Sequence, residues 1–237
     1  MDQVVLEKLG LADHPAADLT DWQKLVDKIS RLSKSIKIAL VGKYTDLPDA
    51  YISVHEALKH AGYAVDSRID LHSINSEEIT NDNAGEKLSE FDGIIVPGGF
   101  GQRGTEGMIS AIKFARENDI PFFGVCLGMQ MASVEFARDV LGLKKANSAE
   151  MDPDTPDPVV GLMDSQKKIT KIGGTMRLGA YKAEIKAGSK TAEAYDNVSE
   201  ISRRHRHRYE FNNAYRQQFE EAGMVFSGTS PDHSLVE

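Results

Sequence analysis

The stretch "FDGIIVPGGFGQRGTEGMISAIKFARENDIPFFGVCLGMQ" (residues 91–130) places a helical pattern between two short apolar runs. The runs "FDGIIVPGG" and "PFFGV" have the length and composition of buried strands. Between them, apolar residues of "TEGMISAIKFAREN" recur at the spacing of an amphipathic helix. A strand, a helix and a second strand in this order predict a βαβ unit whose two strands are parallel.

The same alternation continues on both sides of this stretch. Upstream, "IKIALVG" and "AVDSRIDLHSI" predict strands that flank a helix, "DAYISVHEALKHAG", which should end at Gly62. Downstream, "MQMASVEFARDVLG" predicts a helix that ends at Gly142. We therefore expect an α/β fold, a flavodoxin-like three-layer sandwich with a mostly parallel central sheet. Beyond residue 155, "PVVGLM", "YKAEIKAG" and "MVFSG" predict strands of an antiparallel extension.

Composition describes an ordinary globular chain of 237 residues with one cysteine and a net charge of −8. The negative charge disfavours nucleic acid as a partner. No apolar run approaches the roughly 20 residues of a transmembrane helix, so no membrane is expected as a partner. A single cysteine and an N-terminus unlike a secretory signal favour the cytoplasm. We expect a linker at residues 1–18, a connecting helix at 19–35 and one domain at 36–237.

The only cysteine, Cys126, lies between a predicted strand and a predicted helix. Its neighbours Gly124 and Gly128 complete the pattern G-x-C-x-G of a nucleophile elbow, a sharp turn that lifts the nucleophile out of the sheet. The N-terminus of the following helix should favour the thiolate and lower the pKa of the thiol. The alternative is an unreactive core cysteine at a strand end, but glycines on both sides favour a reactive thiol.

A glycine-rich loop follows the preceding strand. Gly99, Gly101 and Gly104 satisfy the dinucleotide-binding pattern G-x-G-x-x-G. That pattern also needs an acidic residue after the next strand, where this chain has Cys126. We therefore favour another use of the glycines: a backbone N–H of Gly98 or Gly99 can approach a ligand closely and stabilise a developing oxyanion.

These residues resemble the class I glutamine amidotransferases, whose nucleophile motif is G-x-C-x-G. Further segments occur in the order seen in the CTP synthase family, and the resemblance runs from about residue 3 to the end. The segments are "IALVGKYTDLPDAYISVHEALKHAG", "VPGGFGQRGTEGMISAIKFAREN", "PFFGVCLGMQ", "ANSAEM", "GGTMRLG" and "RRHRHRYEFNN". In that family "GGTMRLG" (173–179) belongs to a mobile region beside the active site that takes part in GTP activation.

The resemblance implies a glutaminase domain that hydrolyses L-glutamine through a cysteine thioester. The ammonia would pass to an N-terminal amidoligase domain of the same protein, which aminates UTP to CTP at the expense of ATP. The resemblance implies no cofactor within this domain, but ATP and Mg²⁺ in the complete enzyme and GTP as its allosteric activator. It also implies that the complete enzyme is a homo-oligomer, a tetramer.

Site residues follow from the same resemblance. Cys126 is the implied nucleophile, with Gly99 and Leu127 as oxyanion donors. Glu150 corresponds to the carboxylate that receives the α-ammonium of glutamine, and Arg208 to the arginine that binds its α-carboxylate. A zwitterionic amino acid needs one fixed anion and one fixed cation, and a planar guanidinium suits a carboxylate. The remaining implied glutamine contacts are Gly128, Met129 and Gln130.

Taken alone, the charged residues have ordinary interpretations. Glu150 would be a solvated charge, and "RRHRHRY" a basic surface patch. In an extended segment Arg204, Arg206 and Arg208 would share one face, and their mutual repulsion indicates an anionic partner.

Class I amidotransferases take their general base and its orienting carboxylate from a late His-Pro-Glu motif, which does not occur among these 237 residues. By sequence context we expect none of His205, His207 and His233 to replace it, and we expect the domain to be incomplete at its C-terminus. Three alternatives stay open. They are another class I amidotransferase, a cysteine hydrolase of similar topology, and a non-catalytic nucleotide-binding regulatory module.

Overall fold

The computed structural model describes residues 2–11, 17–162 and 177–237. Contacts divide the chain into two units. One unit comprises Met1–Ile36 and Ser53–Asp70, and the other comprises Lys37–Ile52 and Leu71–Glu237. Within the described ranges, none of the helices combines the length and the apolarity that crossing a bilayer requires.

The helices near the N-terminus are α1 (Asp2–Lys8), α2 (Thr20–Ser30) and α3 (Ile52–Ala64). Helix α1 lies within the predicted linker, and α2 within the predicted connecting helix. The prediction that α3 ends at Gly62 is wrong, because the helix continues to Ala64. Gly62 serves close packing instead: a Cβ at this position would lie 2.7 Å from the carbonyl oxygen of Ser67.

The central sheet has the strand order β2-β1-β3-β4. Strand β3 pairs in parallel with β1 on one side and with β4 on the other, as predicted. The carboxyl ends of parallel strands meet at one edge of a sheet, where α/β proteins bind ligands. The glycine loop after β3 and Cys126 after β4 therefore come together. The strands are β1 (Lys34–Gly42), β2 (Ser67–Asn75), β3 (Gly93–Val96) and β4 (Phe122–Gly124).

Helices α4 (Ala84–Leu88), α5 (Thr105–Glu117) and α6 (Leu127–Asp139) belong to the second unit. Helices α5 and α6 were predicted from their periodicity, but the prediction that the second ends at Gly142 is wrong, because α6 ends at Asp139. Helix α4 is too short to show a periodicity. The core contains fully buried side chains from both long helices, among them Met108 and Met131. An ion pair joins the same helices, because Arg116 donates to the buried carboxylate of Glu135.

The later part of the described chain forms two smaller sheets whose strand pairs are antiparallel apart from one parallel pair. The predicted antiparallel extension is therefore confirmed in part. Of the predicted strand "MVFSG", only Gly228 lies in a strand. Residues 173–176 of "GGTMRLG" lie outside the described residues. One sheet contains β5 (Asn147–Ser148), β6 (Pro158–Leu162) and β9 (Tyr209–Phe211). The other sheet contains β7 (Arg177–Ile185), β8 (Glu200–His207) and β10 (Gly228–Thr229). The helices of this part are α7 (Lys190–Ala194) and α8 (Arg216–Glu221).

Candidate active site

Cys126 occupies a sharp turn between β4 and α6. Its backbone has φ +54° and ψ −106°, a conformation that side-chain-bearing residues rarely adopt. Holding a non-glycine residue there costs on the order of 1–3 kcal/mol. Such strain persists where the surrounding structure over-determines it, and it is typical of functional sites. The geometry is that of the predicted nucleophile elbow.

The two glycines of G-x-C-x-G permit this turn. A Cβ on Gly124 would lie 2.6 Å from the carbonyl carbon of Gly128. A Cβ on Gly128 would lie 2.1 Å from the carbonyl oxygen of Val96, at the end of β3. Both contacts are with backbone atoms, which cannot move aside as a flexible side chain can. The motif is therefore required by the close approach of α6 to the sheet.

Replacing Gly128 with alanine should strongly destabilise the domain. Because the new methyl group would overlap the Val96 carbonyl, we expect a loss of about 3 kcal/mol in the free energy of unfolding, measured by urea denaturation. Gly161→Ala is the matched control, since a Cβ there meets nothing within 4 Å and the change should have little effect. Equal stability of the two variants would contradict the packing of the elbow.

The backbone N–H groups of Leu127 and Gly99, the predicted pair of oxyanion donors, lie near the Cys126 thiol and each lowers its pKa. The expectation of a lowered pKa is nevertheless wrong. Burial is the largest influence and raises the pKa of the Cys126 thiol, and the carboxylates of Glu150 and Glu210 raise it further. The two N–H groups lower it only in part. Desolvation of the thiolate thus outweighs these two N–H groups.

The raised pKa can be tested by alkylation. Because the folded protein disfavours the thiolate, iodoacetamide should react slowly at neutral pH and faster as the pH rises, with a midpoint above the ordinary thiol value of about 8.5. Removing one nearby negative charge, in Glu150→Gln, should move the midpoint down. A wild-type midpoint below about 8.5 would instead support the activation by the helix N-terminus.

Cys126 opens into a cavity of about 340 Å³. Glu150, in the loop after β5, accepts a hydrogen bond from the backbone N–H of Gly101 at 3.0 Å. Arg208, between β8 and β9, reaches the same cavity. A carboxylate, a guanidinium and a thiol therefore surround one space. The predicted site residues that line it are Gly99, Cys126, Gln130, Glu150 and Arg208.

Three predicted residues support the cavity without lining it. Leu127 is fully buried and contributes its N–H, and Gly128 packs against the end of β3. Met129 lies in the first turn of α6, where its carbonyl accepts a hydrogen bond from Ser133. Gln130 lines the cavity, but its side-chain N–H₂ donates to the carbonyl oxygen of Tyr209 at 3.0 Å.

Four lining residues were not among the predicted site residues: Phe100, Arg206, His207 and Tyr209. Strand β8 ends at His207 and β9 begins at Tyr209, so the extended segment breaks at Arg208. Consecutive residues 206–209 can therefore all face one cavity, whereas strict alternation would have sent half of them away. By sequence context none of the histidines was expected to replace the general base; the structure places His207 among the residues that line the cavity.

His207 lines the cavity and lies beside two buried charged residues, Arg177 and Glu210. Its Nδ1 lies 4.0 Å from Oε1 of Glu210, and Arg177 Nη1 lies 3.6 Å from the same oxygen. Burial raises the pKa of Glu210 to about 7. Burial, His205 and Arg177 lower the pKa of His207. At neutral pH the imidazole is therefore neutral, the form that can accept a proton.

Comparisons with known proteins agree with this geometry. Residues 46–237 match the family described as glutamine amidotransferase class-I. Over all 237 residues the chain is 61% identical to CTP synthase from Streptococcus mutans and 60% identical to CTP synthase from Streptococcus sanguinis. It spans 44% of the length of each of these relatives.

A solved structure of a glutaminase domain is also similar to this chain. The Trypanosoma brucei CTPS glutaminase domain with bound acivicin superimposes with a TM-score of 0.79 at 41% sequence identity. The match covers 85% of this chain and 79% of that one. The chain therefore belongs to the class I glutamine amidotransferase family, as a glutaminase domain of the CTP synthase type.

Proposed function

We propose that this domain hydrolyses L-glutamine to glutamate and ammonia, with Cys126 as the nucleophile. The observation that carries the proposal is the strained turn that directs the thiol at the cavity, beside the N–H groups of Gly99 and Leu127. An unreactive core cysteine needs neither the strained backbone nor two converging donors. The acivicin bound to the Trypanosoma brucei domain, a glutamine analogue, supports the same substrate.

The chemistry balances as an acyl transfer. The Cys126 thiolate attacks the side-chain amide carbon of glutamine, and the carbonyl oxygen becomes an oxyanion that the two N–H groups stabilise. Collapse breaks the C–N bond as the proton given up by the Cys126 thiol passes to the amide nitrogen, which leaves as ammonia. Water then attacks the thioester carbonyl, which releases glutamate and restores the thiol. A buried site strengthens the oxyanion contacts, because water does not compete for them.

Glu150 and Arg208 would hold the two ends of the amino acid. The Glu150 carboxylate suits the α-ammonium group, and the Arg208 guanidinium suits the α-carboxylate. The backbone around Gly128 and Met129, with the side chain of Gln130, would complete the contacts along the substrate. A compound lacking either charged group would lose one of these two charge-assisted contacts, so we expect selectivity for a free amino acid.

The complete protein would use the ammonia to aminate UTP to CTP, as the names of the Streptococcus relatives suggest. ATP and Mg²⁺ would act in an N-terminal amidoligase domain, GTP would activate the glutaminase, and the assembly would be a cytoplasmic tetramer. Residues 1–18 and 19–35 would then be the linker and connecting helix between the two domains. High identity over the whole chain supports this larger assignment.

A protection experiment tests the substrate class directly. L-glutamine should slow alkylation of Cys126 by iodoacetamide, because it fills the cavity and covers the thiol. D-glutamine and glutaramide should protect poorly, since neither presents an ammonium and a carboxylate in the right arrangement. The single cysteine makes the alkylated site unambiguous. Equal protection by all three compounds, or by none, would contradict a glutamine site.

A further inference from the structure

Lys43 lies directly after β1 and is almost fully buried, with 3% of its surface exposed. Its ammonium group donates hydrogen bonds to the carbonyl oxygens of Phe100 and Gly101, the first at 3.1 Å. These carbonyls belong to the glycine loop that follows β3 and that carries the Gly99 N–H. Lysine is rarely buried unless its charge is compensated, so this placement needs a reason.

The aliphatic part of Lys43 also supports the loop. A Cβ on Gly99 would lie 3.4 Å from Cε of Lys43 and 3.2 Å from Cδ2 of Leu127. The lysine stem and the first residue of α6 therefore both pack against the side of Gly99 on which a Cβ would lie. Any shift of the lysine side chain would leave space beneath the residue whose N–H reaches the Cys126 thiol.

Lys43 is itself fixed from several directions. Its backbone N–H donates to the hydroxyl of Tyr51 at 3.1 Å, and its carbonyl accepts from Arg103 at 2.6 Å. Arg103 is also paired with Glu77 at 2.6 Å. Tyr44 follows in the chain, and its hydroxyl accepts from the backbone N–H of Phe100 at 3.4 Å. A lysine that was only filling space would need no such support.

We propose that Lys43 is a positioning residue, which holds the glycine loop so that the Gly99 N–H points at the oxyanion. Glu150 holds the same loop by accepting a hydrogen bond from the backbone N–H of Gly101. The loop is therefore fixed twice, by the Lys43 ammonium at its carbonyl oxygens and by the Glu150 carboxylate at one N–H. The role in catalysis rests on the proposed glutaminase function, whereas the role in holding the loop does not.

The burial of the charge agrees with this role. Desolvation and the nearby Arg103 lower the pKa of Lys43 to about 8, and the carboxylates of Glu150 and Glu77 oppose this effect. Keeping an ammonium here costs free energy that an apolar side chain would not cost. The two charge-assisted hydrogen bonds to the loop carbonyls offset that cost.

The test compares Lys43→Met, Lys43→Arg and a control, Lys144→Met, in the complete gene product. Lys144 also donates to a backbone carbonyl, that of Arg138 at 3.1 Å, but its side chain is 74% exposed and far along the chain from the loop. For glutamine hydrolysis we expect Lys43→Met to lower kcat about 10²-fold with little change in KM, because an oxyanion donor is misplaced. Lys43→Arg should recover most of the loss, and Lys144→Met should match wild type.

A second measurement does not depend on turnover. Since the Gly99 N–H lowers the pKa of the Cys126 thiol, releasing the loop in Lys43→Met should raise that pKa. Alkylation at pH 7.5 should then slow about 3- to 10-fold, while Lys43→Arg and Lys144→Met react like wild type. If wild type hydrolyses no glutamine, the proposed function fails but this result still decides the role of Lys43. Unchanged alkylation in Lys43→Met would overturn the positioning role. A loss of activity in each Lys43 variant that is proportional to the fall in its melting temperature would also overturn it.

Discussion

Cys126→Ala should abolish glutamine hydrolysis, with glutamate release falling by on the order of 10⁴-fold or more. The alanine keeps the turn but has no atom that can form the acyl intermediate, and the oxyanion donors Gly99 and Leu127 cannot replace a nucleophile. A coupled assay of glutamate in the complete gene product measures this loss. Ser133→Ala, on the same helix, is the control and should stay within about threefold of wild type.

The stability of the folded domain should depend on the backbone conformation of residue 126 rather than on the thiol. With φ at +54°, Cys126→Gly should be more stable than Cys126→Ala by about 1 kcal/mol, because glycine adopts this conformation without strain. Both variants should be inactive. A cysteine kept where glycine is more stable indicates that the thiol is present for chemistry. Residual activity near the wild-type level in either variant would show that another group is the nucleophile.

Arg208→Ala should weaken glutamine-dependent activity by about 2–5 kcal/mol in transition-state binding, read as a fall in kcat/KM. The variant removes the guanidinium from the cavity and leaves the substrate carboxylate unpaired. Arg208→Lys should recover only part of the lost kcat/KM, since an ammonium cannot form the two parallel hydrogen bonds of a guanidinium. Arg204→Ala, exposed on β8, should behave like wild type.

Ammonia provides the internal control for the arginine. Free ammonia bypasses the glutamine cavity, so ammonia-dependent CTP formation by the complete gene product should survive Arg208→Ala. A selective loss with glutamine supports a substrate-binding arginine. Equal loss of the glutamine-dependent and ammonia-dependent activities would show that Arg208 maintains the structure.

The sheet and the elbow were predictable because both depend on local patterns. Apolar runs of strand length alternate with helical periodicity, and the glycines around Cys126 are needed by backbone contacts within a strand–turn–helix unit. Parallel pairing then brings the ends of β3 and β4 together. The position of Cys126 beside Leu127 and the glycine loop that contains Gly99 follows from these facts alone.

Other features depend on packing that no local pattern contains. The pKa of the Cys126 thiol is decided by burial and by Glu150 and Glu210, which are distant in sequence. His207 reaches the cavity because β8 ends there and the chain turns at Arg208, which alternation along one strand does not predict. Gly62 illustrates the same limit: it reads as a helix end, yet it allows close contact with Ser67.

The most direct test traps the covalent intermediate. The complete gene product is mixed with L-glutamine, quenched in acid during turnover, digested and analysed by mass spectrometry. We predict a glutamyl thioester on the peptide that contains Cys126, removable by hydroxylamine and absent from Cys126→Ala. Glutamate release with Cys126 unmodified throughout turnover, or with the glutamyl group on another residue, would contradict nucleophilic catalysis by this thiol.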